Sequence, residues 1–288
     1  MNPAYEKAKS VAEAIALFSM NSGRHPILAG GTDIVVQWKS GLISPEGFVD
    51  ISALDELKAI AEVGDSIEIG ALASHSMIGS SKVVRRFAPA LADACGTIGA
   101  VQIQNRGTIG GNIMNASPAG DTLPVLAALD AEILAQGLTA ERWIGIRDFF
   151  TAYRKTALAP DEVLTRVRIP KMGKDEISRF YKIGTRRAQA ISKVVMCVRG
   201  EILHGGIVRI AIGIGSVAPT VIRAPGTEAL LKGQVITSAT MDKARRSIED
   251  EVHPIDDLRS TASYRRHICG VLLVRFLREA LKRKPEKI

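Results

Sequence analysis

A chain of 288 residues, 46% hydrophobic and 24% charged, is long enough for two or three domains with true cores, which excludes intrinsic disorder and a small disulfide-stapled fold. The formal charge is +8, but residues 265–288 hold eight Lys/Arg against two Glu, so most of the excess sits in the final helix and tail. With aromatics at 5%, no basic stripe interleaved with rings marks a nucleic-acid groove. Cys95, Cys197 and Cys269 lie far apart without a CxxC pair, and the five histidines have no ligand spacing. The chain therefore assembles no metal site or iron–sulfur cluster of its own. Its start alternates charged and apolar residues at helical spacing, unlike a secretion signal, and no run of about 18 apolar residues could span a membrane. It reads as soluble and cytoplasmic.

In chain order, residues 10–20 place Val11, Ala14, Ile15, Leu17 and Phe18 on one helical stripe, with Ser10 as N-cap and Gly23 as stop. Residues 25–29 read as a strand, Gly30-Gly31 as a tight turn, and 33–40 as a helix ended by Gly41. Residues 48–51 resemble a strand, and 60–63 with 66–72 alternate around the hairpin signal Gly64-Asp65. A helical pattern over 74–94, interrupted at Pro89, leads into a turn-rich stretch at 96–121 with six glycines. A short apolar helix at 123–129, a strand at 131–135 and another at 163–169, closed by Pro170, complete this part.

Three β-rich runs at 179–184, 192–199 and 207–216 then suggest a three-stranded antiparallel meander, followed by helices at 227–232, 241–252 and 262–284. The fold class is α+β: two α/β subdomains at 1–55 and 56–170, and a sheet packed on a helical cluster at 171–288.

Two constellations carry chemistry. In Ile27-Leu28-Ala29-Gly30-Gly31-Thr32-Asp33-Ile34, paired glycines after a strand let backbone amides approach a phosphate, and Thr32 adds a hydroxyl. Asp33, repelled by a phosphate, is better placed as a helix cap. In Thr108-Ile109-Gly110-Gly111-Asn112 a second double glycine follows about 80 residues later, so that two loops could grip one extended phosphate-containing ligand. Asp121, before an apolar helix, could accept from ligand hydroxyls or simply cap that helix. By contrast, Gly213-Ile214-Gly215 and Ala218 spell a dinucleotide fingerprint, but Pro219 blocks the helix it requires, so they read as a strand end and turn.

The order AGGTD, TIGGN, ASPAGD, Tyr153-Arg154-Lys155-Thr156 and EVLTRVRIP resembles the FAD-binding subunit of the molybdenum hydroxylase family over essentially the whole chain. The resemblance implies two subdomains of the vanillyl-alcohol oxidase (PCMH) type clasping non-covalent FAD. It further implies a large partner carrying a molybdenum cofactor and a small partner carrying two [2Fe–2S] clusters, with an external acceptor such as NAD. By match to the family motif, residues 27–34 and 108–112 would wrap the pyrophosphate and ribityl region, with Asp121 near a sugar hydroxyl. Ile98 and Leu164 fall at apolar contact positions, Lys182 near the flavin and Ile191 against the ring. No catalytic acid or base is implied, because the chemistry is the cofactor's.

Relatives carry acidic residues in the loop 185–192. Here Arg186 and Arg187 dominate its charge, either raising the local potential or pairing with acids elsewhere. Lys182 has a plainer reading as a solvated strand lysine. A free-standing FAD oxidoreductase and a cofactor-free basic interaction module are the competing functions.

Overall fold

The computed structural model describes residues 3–21 and 24–282, so Gly23 and the last two residues of the helix expected at 262–284 lie outside them. The N-terminal layer comprises β1 (Ala4–Lys7), α1 (Val11–Met20), β2 (Ile27–Leu28), α2 (Ile34–Lys39) and β3 (Gly47–Asp50). Its strands form a parallel sheet in the order β1-β3-β2, with Val49 opposite both Glu6 and Ile27. Ser10 caps α1 as expected, its Oγ accepting from Glu13 N at 3.1 Å. Strand β1 carries no apolar alternation and was not legible; it pairs in parallel with β3, whose Val49, fully buried, stands opposite Glu6.

The middle layer contains β4 (Ile60–Val63), β5 (Ser66–Gly70), α3 (His75–Ser80), α4 (Lys82–Phe87), α5 (Pro89–Cys95), α6 (Val101–Arg106), α7 (Ile109–Met114) and α8 (Leu123–Ala128). It continues through β6 (Glu132–Gln136), β7 (Glu141–Gly145), α9 (Ile146–Phe149), β8 (Phe150–Ala152), β9 (Lys155–Thr156) and β10 (Val163–Pro170). Five antiparallel strands run β4-β5-β10-β6-β7. Their register aligns Ile60, Ile69, Val167, Ile133 and Ile144 in one row that faces the helices. The stretch expected to be turn-rich instead holds the single helical turns α6 and α7. The cap at Thr108 pairs with Gly111 N at 3.1 Å and offsets the low helix propensity of the double glycine. The pattern over 74–94 resolves into three helices, broken at Ser81 and Ala88.

The C-terminal layer contains β11 (Glu176–Ile183), β12 (Val194–Leu203), β13 (Gly206–Gly215), β14 (Ile222–Arg223), α10 (Pro225–Leu231), α11 (Ser238–Glu251) and α12 (Ala262–Lys282). The short β14 extends the expected three strands to four. Tyr181, Met196 and Ile214 share a row that packs on α11 and α12, whereas Phe180 and Cys197 of the neighbouring row pack into the middle core. On α12 the buried stripe is Cys269, Leu272, Leu273, Phe276, Leu277 and Ala280, while Val271 is exposed. A Cβ on Gly213 would lie 2.0 Å from Pro124 O, so the glycines of the rejected fingerprint serve the approach of α8 to β13. Among the described residues, no helix is long and apolar enough to cross a membrane, and no group of three or more His, Cys, Asp or Glu could hold a metal.

Candidate functional site

The first glycine loop meets the chain just ahead of the second, at Arg106 and Gly107. Strand β2 delivers Ala29 and Gly30 against the end of α6, where a Cβ on Gly30 would lie 2.0 Å from Arg106 O. Only glycine permits that approach. Gly31 holds φ +75°, the left-handed region open to glycine. A Cβ on Gly107 would lie 3.1 Å from His75 Cδ2 and 3.3 Å from Thr32 Oγ1, and His75 N donates to Gly107 O at 3.0 Å. Burial holds the His75 imidazole down at about 4, so it packs beneath the loops as a neutral ring.

Beside this junction lies a cleft of about 310 Å³ lined by Leu28, Ala29, Gly30, Gly31, Thr32 and Val35, with Tyr5, Asp50, Ser52 and Arg106 on its other walls. The backbone N–H groups of residues 30–33 donate to no acceptor among the described residues. Arg106 likewise makes no ion pair among them. Asp50 is saturated: Tyr5 Oη donates to one oxygen and Ser52 N to the other at 2.8 Å. Burial works to raise the Asp50 carboxyl, but those hydrogen bonds outweigh it and leave it below its ordinary range. Ile27 packs on the N-terminal core and does not line the cleft, whereas Ala29 both touches that core and lines the cleft.

Asp33 is not a cap, correcting the expectation. Its side chain makes no bond to the amides of α2 and accepts from Gln37 Nε2 one turn later. In the second loop, Thr108 is spent on its own helix, and a Cβ on Gly110 would press on Ala71 at 2.8 Å, so these residues hold α7 against the sheet. Asn112 Oδ1 accepts from Thr122 Oγ1 at 2.5 Å, which leaves its Nδ2 donors unmatched among the described residues.

A second polar cluster joins the middle and C-terminal layers. Lys182 Nζ contacts Asp121 Oδ2 at 2.5 Å and donates to Thr97 O at 3.0 Å, while Ser192 Oγ donates to Asp121 Oδ1 at 2.6 Å. Lys182 is thus no solvated strand lysine, its side chain being 12% exposed, and Asp121 does not cap α8. Burial pushes the Asp121 carboxyl up, opposed by the Lys182 ammonium and the Ser192 hydroxyl. Among the described residues Arg186 pairs with no acid: its Nε and Nη2 donate to Gln189 O at 3.2 and 2.6 Å, bracing its own loop. Ile98 is half-buried beside this cluster and Ile191 is 56% exposed, whereas Leu164 lies inside the middle core. Reading the sequence missed Arg106, Tyr5, Asp50 and Ser192. Of these, Arg106 alone had a signal, a cation immediately before the second glycine motif.

An open cleft, backbone amides unmatched among the described residues and a cation with no ion pair among them are the donor set that a dinucleotide's diphosphate requires, so the residues present fit FAD. Residues 1–172 match the family described as the FAD binding domain in molybdopterin dehydrogenase, and residues 179–280 match the CO dehydrogenase flavoprotein C-terminal domain. The chain is 30% identical to the carbon monoxide dehydrogenase medium chain of Hydrogenophaga pseudoflava, covering 97% of both chains. It is also 30% identical to the glyceraldehyde dehydrogenase medium chain of Sulfolobus acidocaldarius, over 96% of this chain and 97% of that one. The solved carbon monoxide dehydrogenase from H. pseudoflava that lacks the Mo-pyranopterin moiety superposes with a TM-score of 0.93, at 30% identity over 98% of this chain and 99% of that chain. Fold, cleft and sequence agree that the chain belongs to the FAD-binding medium subunits of the molybdenum hydroxylase family.

Proposed function

We propose that this oxidoreductase subunit accepts electrons from the [2Fe–2S] clusters of a small partner, fed by a molybdenum-cofactor large partner, and passes them through FAD to an external acceptor such as NAD. The observation that carries the reading is the meeting of Gly30 and Arg106, which leaves the backbone amides of Gly30, Gly31 and Thr32 and the Arg106 guanidinium lining one cleft with no acceptor among the described residues. When bound, FAD supplies the redox chemistry, taking up and releasing electrons. The chain's own residues bind and tune. Gly30, Gly31, Thr32 and Arg106 hold the diphosphate, and Asn112 offers its Nδ2 donors. Lys182, fixed by Asp121 and Thr97 O, supplies positive potential toward the ring end that the family resemblance assigns to it, with Ile98 and Ile191 as apolar contacts. Leu164 acts from within the core as support.

No general acid or base is assigned. The titratable groups lining the cleft, Tyr5 and Asp50, are bonded to each other, and Cys95 and His75 are buried with raised and lowered pKa values that keep both neutral. The division at residues 55 and 170 is part of the same reading; the two family matches, which part between 172 and 179, support the second boundary, while Leu57 and Leu72 join the N-terminal core across the first and Cys197 joins the middle core across the second. The location we propose is the cytoplasm.

The test is to load the purified full chain with FAD, remove the excess, denature the protein and identify the released flavin. Stoichiometric FAD freed by denaturation alone is the expected result. Retention of no flavin by a folded chain, or release of none after uptake, overturns non-covalent binding. Electron passage is tested by mixing the flavin-loaded chain with the reduced iron–sulfur partner under anaerobic conditions, where bleaching of the flavin band is expected.

A further inference from the structure

We infer that Arg265, in the first turn of α12, is a positioning residue for the flavin site, acting through Ser216 on the end of the loop 184–192; the inference rests on the FAD reading above. Ser216 follows β13 and holds φ +65°, a conformation that a non-glycine residue keeps only when its surroundings impose it. Three hydrogen bonds impose it here. Ser216 N donates to Pro118 O at 2.7 Å, Ser216 Oγ donates to Ser192 O at 3.1 Å, and Ser216 O accepts from Arg265 Nη1 at 2.7 Å. Pro118 lies three residues before Asp121, and Ser192 is the residue whose hydroxyl donates to Asp121. One strained residue therefore grips both chain segments that meet at the Asp121–Lys182 pair.

Arg265 is 4% exposed, and its Nη2 donates to Asp257 Oδ1 at 2.6 Å. Its Nε is buried without a partner among the described residues. A buried guanidinium left partly unsatisfied is a poor device for stability alone, because apolar replacements of buried ion pairs are often neutral or stabilising. What it supplies instead is a donor at a fixed place, the carbonyl of Ser216. The neighbouring Tyr264 adds an independent contact, its ring lying 5.3 Å from the ammonium of Lys193. Lys193 N in turn donates to Ile183 O at 2.7 Å and closes the base of the loop. The first turn of α12 thus holds the loop end on two sides, and release of Ser216 would withdraw the Ser192 hydroxyl from Asp121 and alter the charge presented with Lys182.

The experiment uses the full chain loaded with FAD and the variants Arg265→Met, Arg265→Lys and Ser216→Gly, reading the FAD dissociation constant and the midpoint potential of the bound flavin. Ser216→Gly keeps the positive φ at no steric cost while deleting the hydroxyl that reaches Ser192, so it answers the question if Arg265→Met does not fold. The expected result is FAD binding weakened at least fivefold in Arg265→Met and Ser216→Gly, a displaced potential in both, and recovery toward the parent in Arg265→Lys, whose ammonium can still donate to Ser216 O. Folded variants with affinity within twofold of the parent and an unchanged potential overturn the inference. If the parent chain itself takes up no FAD, the flavin reading falls, which is a separate and distinguishable result.

Discussion

The two polar regions of this molecule differ in how many of their hydrogen-bonding groups the protein itself satisfies. Around Asp121, both carboxylate oxygens are occupied and Lys182 has two acceptors, so the cluster is complete and joins two layers of the fold. Around Gly30 and Gly31, consecutive amides and the Arg106 guanidinium line a cleft with no acceptor among the described residues. Buried or half-buried donors are normally matched, so an unmatched set marks where an acceptor-rich ligand belongs, while a matched set marks where geometry is fixed in advance. The cleft should accordingly be sensitive in binding and insensitive in stability, and the cluster sensitive in stability as well as in the flavin it positions.

The largest expected effect erases the contrast. Gly30→Val places a Cβ into Arg106 O and forces the first glycine loop away from the end of α6, so both stability and FAD uptake should fall, with a loss of ~3 kcal/mol or more in denaturant unfolding. Lys182→Met attacks only the complete region: it leaves a buried carboxylate without its cation, and ~3–5 kcal/mol of stability should be lost. The double variant Lys182→Met with Asp121→Leu should recover part of that loss. In Lys182→Met protein that still binds FAD, the flavin should be harder to reduce, read as a lower midpoint potential.

A pH series sharpens the comparison from the side of the loops. The His75 imidazole, ordinarily titrating at 6.5, is held by burial at about 4 in the folded chain. Its contribution is therefore fully present above pH 6.5 and is lost as the pH falls toward 4, by up to ~3 kcal/mol. Unfolding measured across that window should show the decline, and His75→Leu should flatten it. The smallest effect isolates the cleft. Arg106→Ala should leave the unfolding midpoint unchanged, since Arg106 is exposed and unpaired, yet weaken FAD binding about tenfold, ~1.4 kcal/mol, in a fluorescence titration.

How much of this was legible follows from the range of the interactions. The glycine pairs were readable because close backbone approach excludes every side chain, a requirement written at single positions. The apolar rows at 66–70 and 163–170 were readable because period-2 burial needs only local pattern. Strand β7 and the elements over 146–156 were not, since their residues are mostly exposed and short. Asp33 was misread because side-chain capping depends on a backbone angle that composition does not give. Ser192, Ser216 and Arg265 left no trace, as each acts through partners 24 to 71 positions away. Asp121 was named from its place before an apolar helix and Lys182 from family resemblance, and only the fold brings them into one ion pair.

The central claim is that the unmatched donors around Gly30, Gly31 and Arg106 seat a diphosphate. Titrating the full chain with FAD, FMN and riboflavin under identical conditions tests it most directly, because only FAD carries that group. Binding of FAD at least tenfold tighter than FMN, with the difference abolished by Arg106→Ala combined with Gly31→Val, is the expected result. Equal affinity for the three flavins, or a selectivity that survives both substitutions, would place the diphosphate elsewhere and contradict it.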